Sequence, residues 1–224
     1  MSPPHAILFD LDGTLVDTVP FILASVRHAF EGYGSAPTDA EWIAGIGTPL
    51  RAQLGEFVRR PEDVEPLLQR YRTFWIDNHD RMTRPFPGAR ETVLALREAG
   101  HPIGIVTAKT EEGARRTLRH VGLLEAVDAM VGADTCPRSK PDPMPVQVAL
   151  ERLGRAPSEA VFVGDSPHDV AAGNAAGALT VAALWGACDR ECLARAGPAH
   201  YLDEIAALPG LLAGLGRAGA ATGR

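Results

Sequence analysis

The chain of 224 residues changes rhythm once, and that change constrains the fold more than any other feature. After a short apolar run, Ala6–Asp10, no strand-like segment interrupts Asp17–Arg81. Over 17–32 the residues Phe21, Ile22, Val26, Ala29 and Phe30 recur at the spacing of one helix face. Further helices are expected at about 39–44, 49–59 and 62–80, the last carrying Leu67, Leu68, Tyr71 and Trp75. Pro85, Pro87 and Gly88 punctuate the chain, and the pattern then alternates. Helices at about 88–99, 111–121, 143–153 and 168–176 interleave with the apolar runs Pro102–Thr107, Ala129–Val131, Ala160–Gly164 and Leu179–Ala182. A last helix is expected at about 203–213, with a Gly/Ala-rich tail from Gly214 that should fray. Strands alternating with helices predict a parallel sheet covered on both faces. The organisation expected is an α/β core of 1–15 and 84–224, with an all-helical domain, 16–83, inserted after the first strand. Open parallel sheets bind ligands beyond the carboxyl ends of their strands, so the insert should sit over the site.

Composition removes several alternatives. Hydrophobic residues make up 46% and charged residues 22%, enough to bury a sizeable core. A net charge of −6 offers no electrostatic footprint for nucleic acid or an anionic membrane. The start of the chain has no basic-then-apolar leader, and no apolar run approaches a membrane span, so a cytoplasmic location is expected. Cys136, Cys188 and Cys192 form neither a disulfide framework nor a zinc motif and read as ordinary thiols. Of 22 basic residues only Lys109 and Lys140 are lysine. A lysine kept in so arginine-biased a chain points to a local need for a compact ammonium.

Four features fall at or just after strand ends. Asp10-Leu11-Asp12-Gly13-Thr14 puts two carboxylates at one strand tip, with Gly13 allowing a sharp turn. Carboxylates so close repel and call for a cation, and Mg2+ is the natural one. Thr107 ends the next run, where its hydroxyl can donate to a phosphoryl oxygen. Lys140 follows, an ammonium able to neutralise both a phosphate and an aspartate. Gly164-Asp165-Ser166-Pro167-His168-Asp169 supplies two more carboxylates, Asp165 to complete a metal site and Asp169 to support it. Any one aspartate could be a turn or helix-start residue; four at matching strand ends argue for a site.

In order, spacing and strand context these motifs resemble those of the haloacid dehalogenase superfamily, over nearly the whole chain. The resemblance implies a Rossmann-like core with an inserted helical cap of the C1 type. It implies a phosphatase in which Asp10 attacks phosphorus and becomes an aspartyl phosphate. Asp12 would protonate the leaving oxygen and then activate water. Mg2+ would be held by the Asp10 side chain, the Asp12 carbonyl and Asp165. Thr107, Ala108, Lys140 and backbone groups near Leu11 and Asp12 would bind the phosphoryl group. Members that attack carbon lack an acid at the position of Asp12, and phosphonate-cleaving members use a cap lysine, whereas 16–83 contains none.

For specificity, the loop Gly45–Pro49 resembles the cap loop that lies over the site in this family, which brings Gly47, Thr48 and the following Arg51 into the substrate-binding set with Lys109. Sugar-phosphate mutases of this branch carry a basic residue where Thr48 stands. The stretches DLDGTLVDT, IVTAKT, KPDPMPVQVAL and VGDSPHDVAAGNAAG are similar to phosphoglycolate phosphatases and related inorganic pyrophosphatases. Phosphoglycolate is the first substrate this suggests, pyrophosphate the second and mutase activity the third. A catalytically dead phosphometabolite-binding module is the reading of another class. The expected partner is a small phosphorylated metabolite, with the chain a monomer or homodimer. Trp42 and Trp75 are expected in the core of the insert, His28, His79 and His120 at surface or structural positions, and His168 as a solvated or supporting neighbour.

Overall fold

β1, Ala6–Phe9, is apolar throughout and buried throughout, as a strand covered on both faces must be. In this computed structural model, which describes residues 5–221, β1 leads through β2 (Val16–Asp17) into four helices. These are α1 (Val19–Phe30), α2 (Asp39–Ala44), α3 (Leu50–Phe57) and α4 (Val64–Met82). The chain returns through β3 (Arg84–Pro85) to α5 (Ala89–Glu98), β4 (Ile103–Val106), α6 (Glu111–His120) and β5 (Ala129–Val131). It continues with α7 (Met144–Leu153), β6 (Ala160–Gly164), α8 (Pro167–Ala176), β7 (Leu179–Ala183), α9 (Arg190–Ala194), β8 (His200–Leu202) and α10 (Leu208–Ala221).

The main sheet runs β5-β4-β1-β6-β7-β8, parallel at every pairing. β1 lies between β4 and β6, with Phe9 opposite Ile105 on one side and Val163 on the other. Strands about 4.8 Å apart bring adjacent tips within reach of one small ligand. The residues following β1, β4 and β6 are Asp10, Thr107 and Asp165, so the order of the sheet gathers three of the four sequence motifs. One apolar cluster, including Ile7, Phe9, Ile105 and Val163, fills one face of the sheet; Leu8, Val106, Phe162 and Leu150 belong to the cluster on the other.

α1–α4 enclose an apolar cluster of their own, with Trp42, Leu54 and Leu68 almost wholly buried. The paths into and out of this insert run side by side, since β2 and β3 pair antiparallel at Val16–Pro85 and Asp17–Arg84. Helix starts follow local chemistry. Thr38 and Glu41 form a reciprocal capping box at α2, and Ser166 and Asp169 do the same at α8.

The far end of the chain departs from expectation. The helix foreseen at 203–213 begins instead at Leu208, after a 3-10 turn at Ile205–Ala207, and continues to Ala221 rather than fraying from Gly214. Leu208 and Leu212 are buried in the sheet cluster, with Leu211 and Leu215 packed against it, and that apolar stripe outweighs the glycines. Residues 222–224 of the tail lie outside those described. β8 and α9 were not foreseen; three residues of strand and five of helix carry too little periodicity to read. No described helix is long and apolar enough to cross a membrane.

Candidate active site

The floor of the site begins where β1 ends. The Asp10 N–H donates to the Val163 carbonyl at 2.9 Å, which locks the strand tip to β6 and leaves the side chain 5% exposed. The backbone then turns through Gly13 at φ +88, and a Cβ there would stand 2.1 Å from Asp165 Oδ2. Glycine is therefore needed twice over, for the left-handed conformation and for the close approach. Thr14 Oγ1 donates to Asp165 Oδ1 at 2.9 Å, tying the first motif to the fourth. The backbone N–H groups of Leu11, Asp12 and Ala108 donate to no acceptor among the described residues.

Both lysines of the chain go to the aspartates of the first motif. Lys140 Nζ donates to Asp10 Oδ1 at 2.8 Å, Asp169 Oδ1 at 2.6 Å and the Val106 carbonyl at 3.1 Å. Three bonds exhaust the ammonium in a space 3% exposed, a compact arrangement that suits lysine rather than a planar guanidinium. Lys109 Nζ donates to Asp12 Oδ1 at 2.8 Å, and the Thr18 hydroxyl donates to the same oxygen at 2.6 Å. Each pair engages one oxygen, so Asp10 Oδ2 and Asp12 Oδ2 have no partner within the protein among the described residues.

Burial dominates the electrostatics. It lifts the Asp10 carboxyl well above the usual range, with Asp169 and Asp165 adding to the rise and Lys140 opposing it. Burial, then the charge of Asp169, pushes Asp165 up to about 7 against its hydrogen bonds from Ala187 and Thr14. For Lys140 burial works downward, but Asp10 and Asp169 outweigh it and hold the ammonium above its ordinary value. One ammonium thus faces three buried carboxylates whose oxygens, one from each of Asp10, Asp165 and Asp169, lie within 4.8 Å of one another. A site with that surplus of hard negative donors fits a divalent cation. Asp169 already binds Lys140 and both the N–H and the hydroxyl of Ser166, which suits it to orienting rather than ligating.

Above this floor lies a cavity of about 560 Å3. Asp10, Asp12, Thr107, Ala108 and Lys109 line it from the core; Gly47, Thr48 and Arg51 line it from the insert. Lys140 flanks a small void beside it, with Gly47 and Thr107. Gly47 has φ +101, and a Cβ there would lie 2.9 Å from Ser166 Oγ and 3.4 Å from His168 Cβ, so the insert loop rests directly on the fourth motif. Thr48 donates to the Gly45 carbonyl at 2.7 Å within that loop. Arg51 reaches the cavity but is paired with Glu65 at 2.6 Å.

Three residues have places at the site that the sequence did not assign them: Trp75, Arg72 and Thr18. Trp42 is buried in the insert cluster and Trp75, half-buried, packs against it, as expected; both also line the cavity, where Lys109 Nζ lies 5.1 Å and Arg116 Cζ 5.2 Å from the Trp75 ring centroid. Arg72 lines the cavity wall, and Thr18 holds Asp12. The signal for the first two was present: Leu68, Tyr71, Arg72 and Trp75 follow i, i+3, i+4, i+7 along α4 and present one face. His79 is buried and structural, bonded to Thr117 at 3.0 Å, and His168 is half-buried against Gly47.

Comparison with known proteins places this geometry among relatives. Residues 7–183 match the model of a family described as haloacid dehalogenase-like hydrolase. The sequence is 36% identical over 204 residues to the pyrophosphatase PpaX of Bacillus velezensis, covering 91% of this chain and 94% of that protein. It is 37% identical over 177 residues to the pyrophosphatase PpaX of Halalkalibacterium halodurans, covering 79% and 81%. Among solved structures, a Haemophilus somnus protein described as a predicted phosphoglycolate phosphatase superposes with a TM-score of 0.83 at 23% identity, over 94% of this chain and 99% of that one.

Proposed function

The chain belongs to the haloacid dehalogenase-like hydrolase family, and from that premise we propose that it is a Mg2+-dependent phosphatase working through an aspartyl phosphate on Asp10. The observation that carries the reading is Asp10 itself. One oxygen is held by Lys140 at 2.8 Å, and the other has no partner among the described residues, on a side chain that lines the cavity. Asp10 Oδ2 attacks phosphorus, the bond to the leaving oxygen breaks, and Asp12 Oδ2 supplies that oxygen with a proton. Asp12 then takes a proton from water, which attacks the aspartyl phosphate and regenerates Asp10 with release of inorganic phosphate. Thr107 and the N–H groups of Leu11, Asp12 and Ala108, unpaired among the described residues, would hold the phosphoryl oxygens, while Lys140, whose three N–H groups are already engaged, would offset their charge from beside Asp10. Asp10, the Asp12 carbonyl and Asp165 would hold the metal, with Asp169 orienting Lys140. When bound, the metal would keep Asp10 ionised despite burial and offset charge on the transferring group. The insert, 16–83, acts as a cap whose loop Gly45–Pro49 shapes access.

Two relatives of more than a third identity bear the name pyrophosphatase, which moves inorganic pyrophosphate ahead of phosphoglycolate as the first substrate to test. Phosphate release with Mg2+ from pyrophosphate, phosphoglycolate, glucose 1-phosphate and nucleotides tests the reading, with Asp10→Asn as control. Release that disappears in the control supports it. Undiminished release by Asp10→Asn would remove Asp10 as nucleophile. Isomerisation of glucose 1-phosphate without release would favour a mutase, and a lack of any turnover or beryllofluoride adduct a binding module.

A further inference from the structure

We propose that Arg72 is the specificity-determining residue of this site, and that its substrates are small phosphate compounds carrying a second anionic group close to the phosphoryl group. The proposal rests on the phosphatase reading and adds the class of leaving group.

Six charged side chains line the cavity, and five have partners inside the protein. Asp10 is held by Lys140 and Asp12 by Lys109, each at 2.8 Å. Arg51 is neutralised by Glu65 at 2.6 Å, and Asp134 accepts from the Glu111 N–H at 2.8 Å. The sixth, Arg72, has neither an ion pair nor a side-chain hydrogen bond among the described residues. Its neighbours on α4 show that this is not the habit of the helix. Arg70 donates to the Glu31 and His28 carbonyls and so satisfies the end of α1, and Arg81 donates to Asn78.

Placement supports the same conclusion. Arg72 shares its helix face with Leu68, Tyr71 and Trp75, all of which line the same cavity as the catalytic floor, and its own side chain is exposed. A free guanidinium there can pair with an anion that enters the cavity, and the pair strengthens as the substrate displaces water around it. Its planar fork suits a carboxylate or phosphate bonded through two N–H groups. A phosphoryl group seated at Asp10 Oδ2 draws on the charge of Lys140 and of the metal the floor would hold, which leaves Arg72 for whatever negative charge the rest of the molecule carries. A simple alcohol or neutral sugar would leave it unpaired. Pyrophosphate offers a second phosphate and phosphoglycolate a carboxylate; p-nitrophenyl phosphate offers neither.

The test compares kcat/KM of the full chain and of Arg72→Met and Arg72→Lys on these three substrates with Mg2+ present. Arg72→Met should lose roughly tenfold to hundredfold on pyrophosphate or phosphoglycolate, mainly through KM, which is the range for a lost charge-assisted hydrogen bond. The loss on p-nitrophenyl phosphate should be smaller by about tenfold or more, and Arg72→Lys should recover part of the difference. Equal losses on all three substrates, or none on the two-anion pair, would overturn the proposal while leaving the phosphatase reading in place. Wild-type turnover of p-nitrophenyl phosphate alone would overturn it in the same way. Wild-type inactivity on all three would overturn the proposal, and inactivity on glucose 1-phosphate and nucleotides as well would remove the phosphatase reading with it.

Discussion

The floor and the wall of the cavity are built on opposite principles. In the floor Asp10, Lys140, Asp165 and Asp169 are all at most 5% exposed, and each is bonded to its neighbours. The insert wall is apolar and aromatic, its one unpaired charge, among the described residues, is exposed, and its other arginine is matched to a glutamate of the same insert. A buried cluster of charges is costly to alter, because removing one leaves the others uncompensated. An exposed arginine on a helix face can change with little effect on folding. On the reading proposed here, chemistry is fixed by groups that also hold the core together, while specificity is carried by groups that do not. That division can be broken by experiment.

The largest effect should come from Asp10→Asn, which removes the nucleophile and leaves the shape. Turnover should fall by roughly 10^4-fold or more, as for deletion of a nucleophile elsewhere. Circular dichroism and the thermal midpoint should report a folded chain, because Lys140 keeps its bond to Asp169. Activity within tenfold of wild type would show that the floor is not where chemistry happens.

Lys140→Met should injure fold and function together. It strands Asp10 and Asp169 in a buried space, and breaking such a pair costs about 3–5 kcal/mol. Urea denaturation would read the loss. A stability equal to that of Arg72→Met would erase the distinction between floor and wall.

Metal should separate the two regions next. Chelation should abolish turnover and Mg2+ restore it. Mg2+ should also raise the thermal midpoint, by about 2.7 kcal/mol of added stability at a hundred times its dissociation constant. Asp165→Asn should blunt that rise, since Asp165 sits among the clustered carboxylates, and Arg72→Met should keep it whole. A rise untouched by Asp165→Asn would place the metal elsewhere.

The floor was legible in the sequence and the wall was not, for the same reason. Strand-tip residues sit where a periodic apolar run stops, so Asp10, Thr107 and Asp165 announce themselves, and parallel order brings their strands together. Lys140 stood out because the chain elsewhere prefers arginine. The insert gave its helices to within a few residues, yet helical period alone does not say which partner a face meets. Trp75 reads as core on any apolar stripe, and Arg72 as one more solvated arginine, until α4 is seen against the floor. Arg51 shows the converse: the loop context brought it to the cavity, but the fold pairs it with Glu65, fourteen residues along the chain, which no local pattern announces. β8 and α10 were missed or misplaced because their structure comes from pairing with β7 and packing on the sheet, not from local pattern.

The smallest effect lies where insert and core meet, at His79 on α4. Its ring is 1% exposed, with Nε2 bonded to Thr117 on α6 and Nδ1 to Asp80. Burial draws its pKa below the ordinary 6.5; Asp80 opposes this, and Arg116 and Lys109 reinforce it, with His120 packed edge-on at 5.5 Å. Above the ordinary value both folded and unfolded chains hold it neutral, so its contribution to stability is complete. As pH falls below that value the unfolded chain takes a proton that the folded chain resists. Stability then declines until the depressed folded value has been passed. Urea midpoints of wild type and His79→Gln at pH 7.5 and 5.5 would measure this. The wild type should lose more stability across that interval than the variant. An equal loss in both would mean that His79 joins insert to core through packing alone, and that acid sensitivity arises in the carboxylate floor.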